Sequence, residues 1–346
     1  MQSRVLSGDS LSASEIPRMG LLRIHGAQID ESFLAKGFSD RAFNRLSSLS
    51  DILWDEEQKR HVPSDQLEKA VYDLMMKRRS VRHFDNKAIP DSVIDELVDV
   101  ANNAPSGGNI QPISIIIVRE ADGRKELAAI VGNQPWVKNA PISMVFCIDL
   151  YRVKKWASMF NAEFKGENVF ALFLIAYADL MVAAQNVAIL AQSRGLGSVY
   201  VGSIVQSIDR AREYFEMPEC VLPMMVLSVG YPKSIPKHIP KLQRSVMTHW
   251  EKYRLMSDEE VRKAYEEKYG DYNDGIQYLE KAFVETVEAD KQQGDKWTEW
   301  AKDEMKRLEI RNNAQFLFRL RYPTDKMMEE NKELFLALRK AGFVFF

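Results

Sequence analysis

Apolar positions recur along the chain with two periods, and the changes of period mark the elements. Leu67, Val71, Leu74 and Met75 repeat at helical spacing after Ser64, with Asp65 and Glu68 as a capping-box signature. This helix runs into Lys77-Arg78-Arg79-Ser80. A second helix is predicted from Pro90, whose ring suits a first helical turn. Its apolar face is Val93, Ile94, Leu97, Val98 and Ala101, and it stops at Asn103-Ala104-Pro105. The β-branched run over 113–118 reads as a buried strand. Residues 122–131 read as a helix and 142–149 as a strand. A near-continuous apolar run predicts a fully buried core helix over 170–193, with Gly195 as its C-cap. Strands are expected at 199–201 and 221–229, with a helix at 207–215 between them. Strands and helices mix without regular alternation. That pattern predicts an α+β fold, a sheet flanked by helices, rather than a doubly wound parallel sheet.

The ends differ in character. Residues 1–66 read as an N-terminal extension, with one amphipathic helix expected around 42–53. Residues 67–250 carry the strong periodicity and form the expected central domain. Residues 251–346 read as a C-terminal helical extension, opened by a capping box of Ser257 and Glu260. Its apolar content includes Trp297, Trp300, Phe316, Phe318, Phe335 and 343–346.

Composition narrows the function. The 346 residues are 46% hydrophobic and 28% charged, with a formal net charge of −2. There is ample material for a core. Balanced charge argues against nucleic acid or an anionic membrane as the main partner, because both call for a basic surface. The apolar run at 170–190 is long enough to suggest a membrane span. It carries Asp179, Gln185 and Asn186, and polar groups are costly inside lipid, so a core helix is expected. Residues 1–14 lack the apolar core of a signal peptide. Two cysteines, Cys147 and Cys220, stand far apart and form no CxxC. Zinc-ribbon, iron–sulfur and thioredoxin-type chemistry are excluded, and a reducing, cytoplasmic location is expected. The five histidines show no ligand spacing, so no metal site is expected.

Two constellations carry candidate chemistry. Arg78-Arg79-Ser80-Val81-Arg82 concentrates three arginines and a hydroxyl at a helix end. Arginine's planar fork suits phosphate, although a solvated basic helix end is the plainer reading. Pro105-Ser106-Gly107-Gly108-Asn109 joins a helix to a strand. Its glycines let backbone approach a flat ligand, and Asn109 offers both a donor and an acceptor. A tight connection needing positive φ is the plainer alternative. Gly195-Leu196-Gly197 is not a dinucleotide fingerprint, since it follows a helix and precedes a strand.

Taken together, the two constellations resemble the nitroreductase family in order, spacing and intervening helix. The likeness continues in Arg194-Gly195-Leu196-Gly197-Ser198, in Gly230-Tyr231-Pro232 and in Pro240-Lys241-Leu242-Gln243-Arg244. It spans about residues 67–250. The resemblance implies an α+β fold with a mixed sheet wrapped by helices, and a homodimer whose FMN lies between the subunits. It also implies ping-pong transfer of electrons from NADH or NADPH to a small oxidant: a nitroaromatic, quinone, activated alkene or halophenol.

By the same resemblance, Arg78, Arg79 and Ser80 hold the flavin phosphate and ribityl chain, and Arg82 lies at the N1/O2 edge. Pro105, Ser106, Gly107 and Asn109 meet the ring from the second subunit. Tyr200, Val201 and Gly202 lie near N5, and Arg244, or failing it Lys241, completes the phosphate site. Ile113 stands where many members of the family have Trp. The region of the substrate lid, about 151–170, holds Trp156, Phe160, Lys154, Lys155, Glu163 and Lys165. A clamp on substrate and an ordinary surface helix both fit it. No side-chain proton donor emerges. A specialised dehalogenase or biosynthetic oxidase remains an alternative, as does a flavin-binding protein without turnover, which a tail helix plugging the ring face would indicate.

Overall fold

A computed structural model describes residues 54–55, 60–61, 65–269 and 291–345. The chain divides into two compact units, Met1–Lys69 and Ala70–Phe346. In the first, strands β1 (Trp54–Asp55) and β2 (Arg60–His61) pair antiparallel. The helix expected around 42–53 lies outside the described residues.

Helix α1 spans Asp65–Lys77. The Asp65 side chain, and with it the capping box expected there, lies outside the described residues. Helix α2 (Asp91–Asn102) buries Ile94, Leu97 and Ala101, the face its periodicity predicts. Four strands follow: β3 (Ile113–Val118), β4 (Ile142–Asp149), β5 (Gly197–Val201) and β6 (Val221–Gly230). Their order in the sheet is β3-β4-β6-β5, with every neighbouring pair antiparallel. Parallel character enters through one bridge, Ser80 to Ser198. Strands β4 and β6 occupy the centre and are buried throughout. Strand β3 was expected to be buried but lies at an edge and is largely half-buried. A β-branched run alone does not tell edge from centre.

Helices α3 (Ala121–Ile130), α4 (Pro135–Asn139) and α5 (Leu150–Met159) connect the first half. Helix α6 (Phe170–Ser193) crosses the sheet, its Leu180, Ala183, Ala184, Val187 and Ala188 facing the core. Small residues let helix and sheet approach closely. The helix ends in a Schellman turn, as the sequence foretold: Gly195 has φ +74°, and the Leu196 N–H donates to Ala191 O at 2.9 Å. It is not fully buried, however. Leu174, Ile175 and Val182 are 50%, 39% and 39% exposed. With Ala171 and Ala178 they make an open apolar stripe at helical spacing.

Helix α7 (Ile208–Tyr214) precedes β6. The C-terminal part is helical as expected: α8 (Asp258–Tyr269), α9 (Lys291–Arg307) and α10 (Thr324–Lys340). Ser257 and Glu260 form the reciprocal box, with Ser257 N–H donating to Glu260 Oε2 at 2.8 Å and Glu260 N–H to Ser257 Oγ at 3.3 Å. The tail's end joins the main core, where Phe343 meets Phe173 edge-on with ring centroids 5.9 Å apart. Cys220 N–H donates to Ala341 O at 2.8 Å. Cys147 and Cys220 are both free and buried, and burial pushes the Cys147 thiol up to about 12.

Candidate active site

The chain leaving α1 runs beside edge strand β5. Val81 N–H donates to Ser198 O at 3.0 Å, next to the Ser80–Ser198 bridge. This approach requires glycine at 197, because a Cβ there would lie 2.5 Å from Val81 Cγ2. The register brings Arg78 near Tyr200. Burial is the larger influence on Tyr200 and pushes its phenol up to about 12, while the Arg78 charge pulls the other way. The Tyr200 hydroxyl donates to Gln185 Oε1, on α6, at 3.1 Å. Val201 is buried, and exposed Gly202 opens the 3₁₀ turn Gly202–Ser207.

Two donors, Arg78 Nη1 on this segment and Trp136 Nε1, are buried with no acceptor among the described residues. Orphaned buried donors are costly, so they mark a place where a ligand's acceptors are wanted. Trp136, on α4, also carries the Arg82 guanidinium over its ring, 5.4 Å from the centroid. The adjoining Gln134 donates from Nε2 to Ser203 Oγ at 2.8 Å, tying α4 to the Gly202–Ser207 turn. Arg79 is engaged differently. Its Nη1 donates to Met76 O at 3.0 Å and Arg78 O at 2.7 Å, closing the end of α1. Arg244 begins a single helical turn, Arg244–Met247, on an exposed stretch following Pro232, Pro236 and Pro240. The structure brings Arg78, Ser80 and Tyr200 together, and Arg82 onto Trp136. Among the described residues it records no contact between Arg244 and any of them.

The second constellation precedes β3. Gly107–Asn109 form a 3₁₀ turn in which Gly108 and Asn109 have φ +60° and +54°, and Gln111 follows at +52°. Non-glycine residues in this region are strained by about 1–2 kcal/mol each. Several bonds hold the shape. Gln111 N–H donates to Ser106 Oγ at 3.2 Å, and Arg152 Nη2 donates to Gln111 O at 2.8 Å and Ile113 O at 2.7 Å. Gly107 N–H donates to both oxygens of Asp179, at 3.1 and 3.0 Å. A cavity of about 310 Å³ opens here, with Pro105, Ser106, Gln111, Arg152, Trp156 and Asp179 in its wall.

Within one chain the two constellations do not meet. One follows β5 and the other leads into β3, the opposite edges of the sheet. Three strand spacings, about 14 Å, separate those edges.

The expected lid region contributes Trp156 to the cavity, while Phe160 is 81% exposed. Its charges are mostly taken up internally. Lys154 pairs with buried Glu167 at 2.6 Å, Lys165 with Glu163 at 2.5 Å, and Lys155 lies over the Tyr151 ring at 5.4 Å. Sequence reasoning missed Gln134, Trp136 and Arg152. Gly132-Asn133, both at positive φ before Pro135, was a turn signal that marked the first two. Nothing local singles out Arg152.

A model of the nitroreductase family matches residues 75–231. The chain is 33% identical over 208 residues to the FMN reductase (NADPH) of Bacillus subtilis, covering 58% of this chain and 82% of that protein. It is 29% identical over 203 residues to the oxygen-insensitive NADPH nitroreductase of Salmonella typhimurium, covering 58% and 81%. Among solved structures, the NADPH:FMN oxidoreductase from Vibrio harveyi complexed with NAD+ superposes with TM-score 0.52 at 29% identity, covering 56% of this chain and 82% of that one. Bacillus megaterium NfrA1 gives TM-score 0.56 at 29% identity, covering 62% and 85%.

Proposed function

The chain belongs to the nitroreductase family, and from that premise we propose that it is an FMN-dependent oxidoreductase working as a homodimer with two composite sites. Arg78, Ser80 and their neighbours would hold FMN as the resident cofactor, which when bound would supply the redox chemistry linking NADH or NADPH to a small oxidant in two separate encounters. The observation that carries this reading is the pair of orphaned buried donors, Arg78 Nη1 and Trp136 Nε1, beside the Ser80–Ser198 bridge. They fit a ligand rich in acceptors.

The chain's residues bind and orient. Arg78 and Ser80 hold the phosphate and ribityl chain, with Arg79 at the same helix end and Arg244 completing the phosphate site. Arg82 supplies positive charge to the ring edge that gains electrons, and Trp136 keeps that guanidinium in place. Tyr200, Val201 and Gly202 form the wall on the β5 side. Pro105, Ser106, Gly107 and Asn109 come from the other subunit, since within one chain they lie across the sheet. Three surfaces support the dimer: the open stripe of α6, exposed Tyr72, Met75 and Met76 on α1, and exposed Ile235, Ile239 and Trp250 on the stretch after β6. Such apolar exposure marks an interaction surface. The oxidant is a nitroaromatic, quinone, activated alkene or halophenol, received against Trp156.

Among the described residues, no tail residue lines the cavity, which supports turnover over a pure binding role. A cytoplasmic location accords with two free, buried thiols and with the need for reduced nicotinamide. The central FMN domain is assigned to 67–250, with 1–66 and 251–346 as extensions.

The test is a visible spectrum of the purified protein with FMN added, followed by anaerobic titration with NADH and NADPH. A bound flavin that bleaches with either donor is expected, in a dimer by sedimentation. Absence of flavin binding would overturn the proposal.

A further inference from the structure

We propose that Asp179 is a positioning residue: its charged carboxylate holds the Ser106–Gln111 loop in the shape that meets the flavin, so that cofactor affinity depends on the charge at this one position. This rests on the flavin reading above.

Asp179 is the one charged side chain among the 24 residues of α6. It is 9% exposed, and its hydrogen-bond donor is the Gly107 amide, shared between both oxygens at 3.1 and 3.0 Å. A buried carboxylate without a cation costs stability, and an apolar residue would avoid that cost in a helix otherwise uncharged. Its retention therefore calls for a local task. The loop supplies one. Gly107 sits so close to α6 that a Cβ would lie 2.7 Å from Ile175 Cγ2. Immediately after it come the positive-φ residues Gly108, Asn109 and Gln111. Such a shape persists only when neighbours over-determine it. Arg152 grips the far end through Gln111 O and Ile113 O. Asp179 grips the near end. Pro105 and Ser106, assigned to the flavin ring, and Asp179 share the wall of one cavity.

Burial holds the Asp179 carboxyl above the usual carboxylate range, and the Gly107 bond offsets this in part. Arg152 of α5 shares the cavity wall with it and is occupied by two carbonyls and by Asp149 at 3.6 Å. Strand β4 brings Asp149, which also accepts from Ser114 Oγ. The turn before α6 brings Glu167, paired with Lys154. The end of α2 and the loop bring Asn102, Ser106 and Gln111, none of which titrates; Asp95 and Asp99 of α2 are exposed.

The experiment measures FMN affinity by fluorescence titration across pH for the wild type, Asp179→Asn, Asp179→Leu and Arg78→Ala, with thermal midpoints of each apoprotein. Asp179→Asn keeps size and one acceptor but loses charge. It is expected to bind FMN about tenfold more weakly at neutral pH, the scale of a charge-assisted bond. The ratio of wild-type to Asp179→Asn affinity should fall toward one as pH drops through the Asp179 carboxyl, because the wild type then becomes neutral too. Asp179→Leu should bind more weakly still without a lower thermal midpoint, since an unpaired buried charge is removed. If Leu at this position prevents folding, the near-isosteric Asn variant carries the test alone. Equal affinity of wild type and Asp179→Asn at all pH overturns the inference. Should that occur while Arg78→Ala still weakens binding, the flavin site stands and only the role of Asp179 falls. If Arg78→Ala is also silent, the flavin reading itself fails.

Discussion

The two constellations at opposite edges of the sheet are built on opposite principles. Along β5, the chain at Arg78–Arg82 is held by backbone pairing and a close contact, and Arg78 Nη1 remains an unmet donor. Before β3, the Ser106–Gln111 loop is strained in its backbone but closely satisfied, with Asp179, Ser106 and Arg152 taking up its polar groups. The first is chemistry waiting for a ligand. The second is shape that the protein maintains by itself. Substitutions on the β5 side should therefore reach cofactor affinity first, and those in the loop should reach local stability first.

The sharpest way to break this contrast is Arg78→Ala. Removing a charged donor should weaken FMN binding by about 10–100-fold, equivalent to about 1.5–3 kcal/mol. The apoprotein's thermal midpoint should hardly move, because Arg78 Nη1 has no internal partner to lose. A large drop in midpoint with unchanged affinity would make Arg78 a structural residue. Next is Gly197→Ala, which forces a Cβ to within 2.5 Å of Val81 Cγ2. Overpacking of this kind costs about 1–3 kcal/mol, and here it should reduce both stability and FMN affinity, since it displaces Ser80. Denaturant unfolding and flavin titration read the two effects separately.

Gly108→Ala tests the loop. At φ +60° an alanine is strained by about 1–2 kcal/mol, and the predicted loss is local: faster amide exchange over residues 105–112, with no change along β5. Exchange that rises equally at both edges would show that the two regions are coupled within one chain. The smallest effect concerns Tyr200. Its phenol is raised from 10.0 to about 12, mainly by burial, so the neutral form is favoured in the folded state. Its stabilising contribution is complete below 10.0 and is lost as pH rises toward about 12. Ultraviolet titration should show the wild-type transition near 12, moved higher in Arg78→Ala, because the Arg78 charge opposes the rise.

Much of this was legible locally. The capping box at Ser257 and Glu260, the glycine end of α6 and the limits of β4 all depend on residues within a turn or on strict burial. The family was legible because phosphate forks and glycine loops need fixed residue types at fixed spacing. Trp136 and Arg152 were less so, since each acts on residues distant in sequence: Trp136 on Arg82, Arg152 on Gln111.

By itself, then, the sequence determined most of the central elements, the α+β class, the family and the two constellations, because helical period, capping and turn chemistry are short-range. Tertiary structure decided the rest. It set β3 at an edge and left one face of α6 open, though both read as buried apolar runs. It returned Phe343 to the core beside Phe173. It also put the arginines and the glycine loop on opposite edges of one sheet. Burial and adjacency are properties of what packs where, and a residue's own neighbours in the chain carry no record of that.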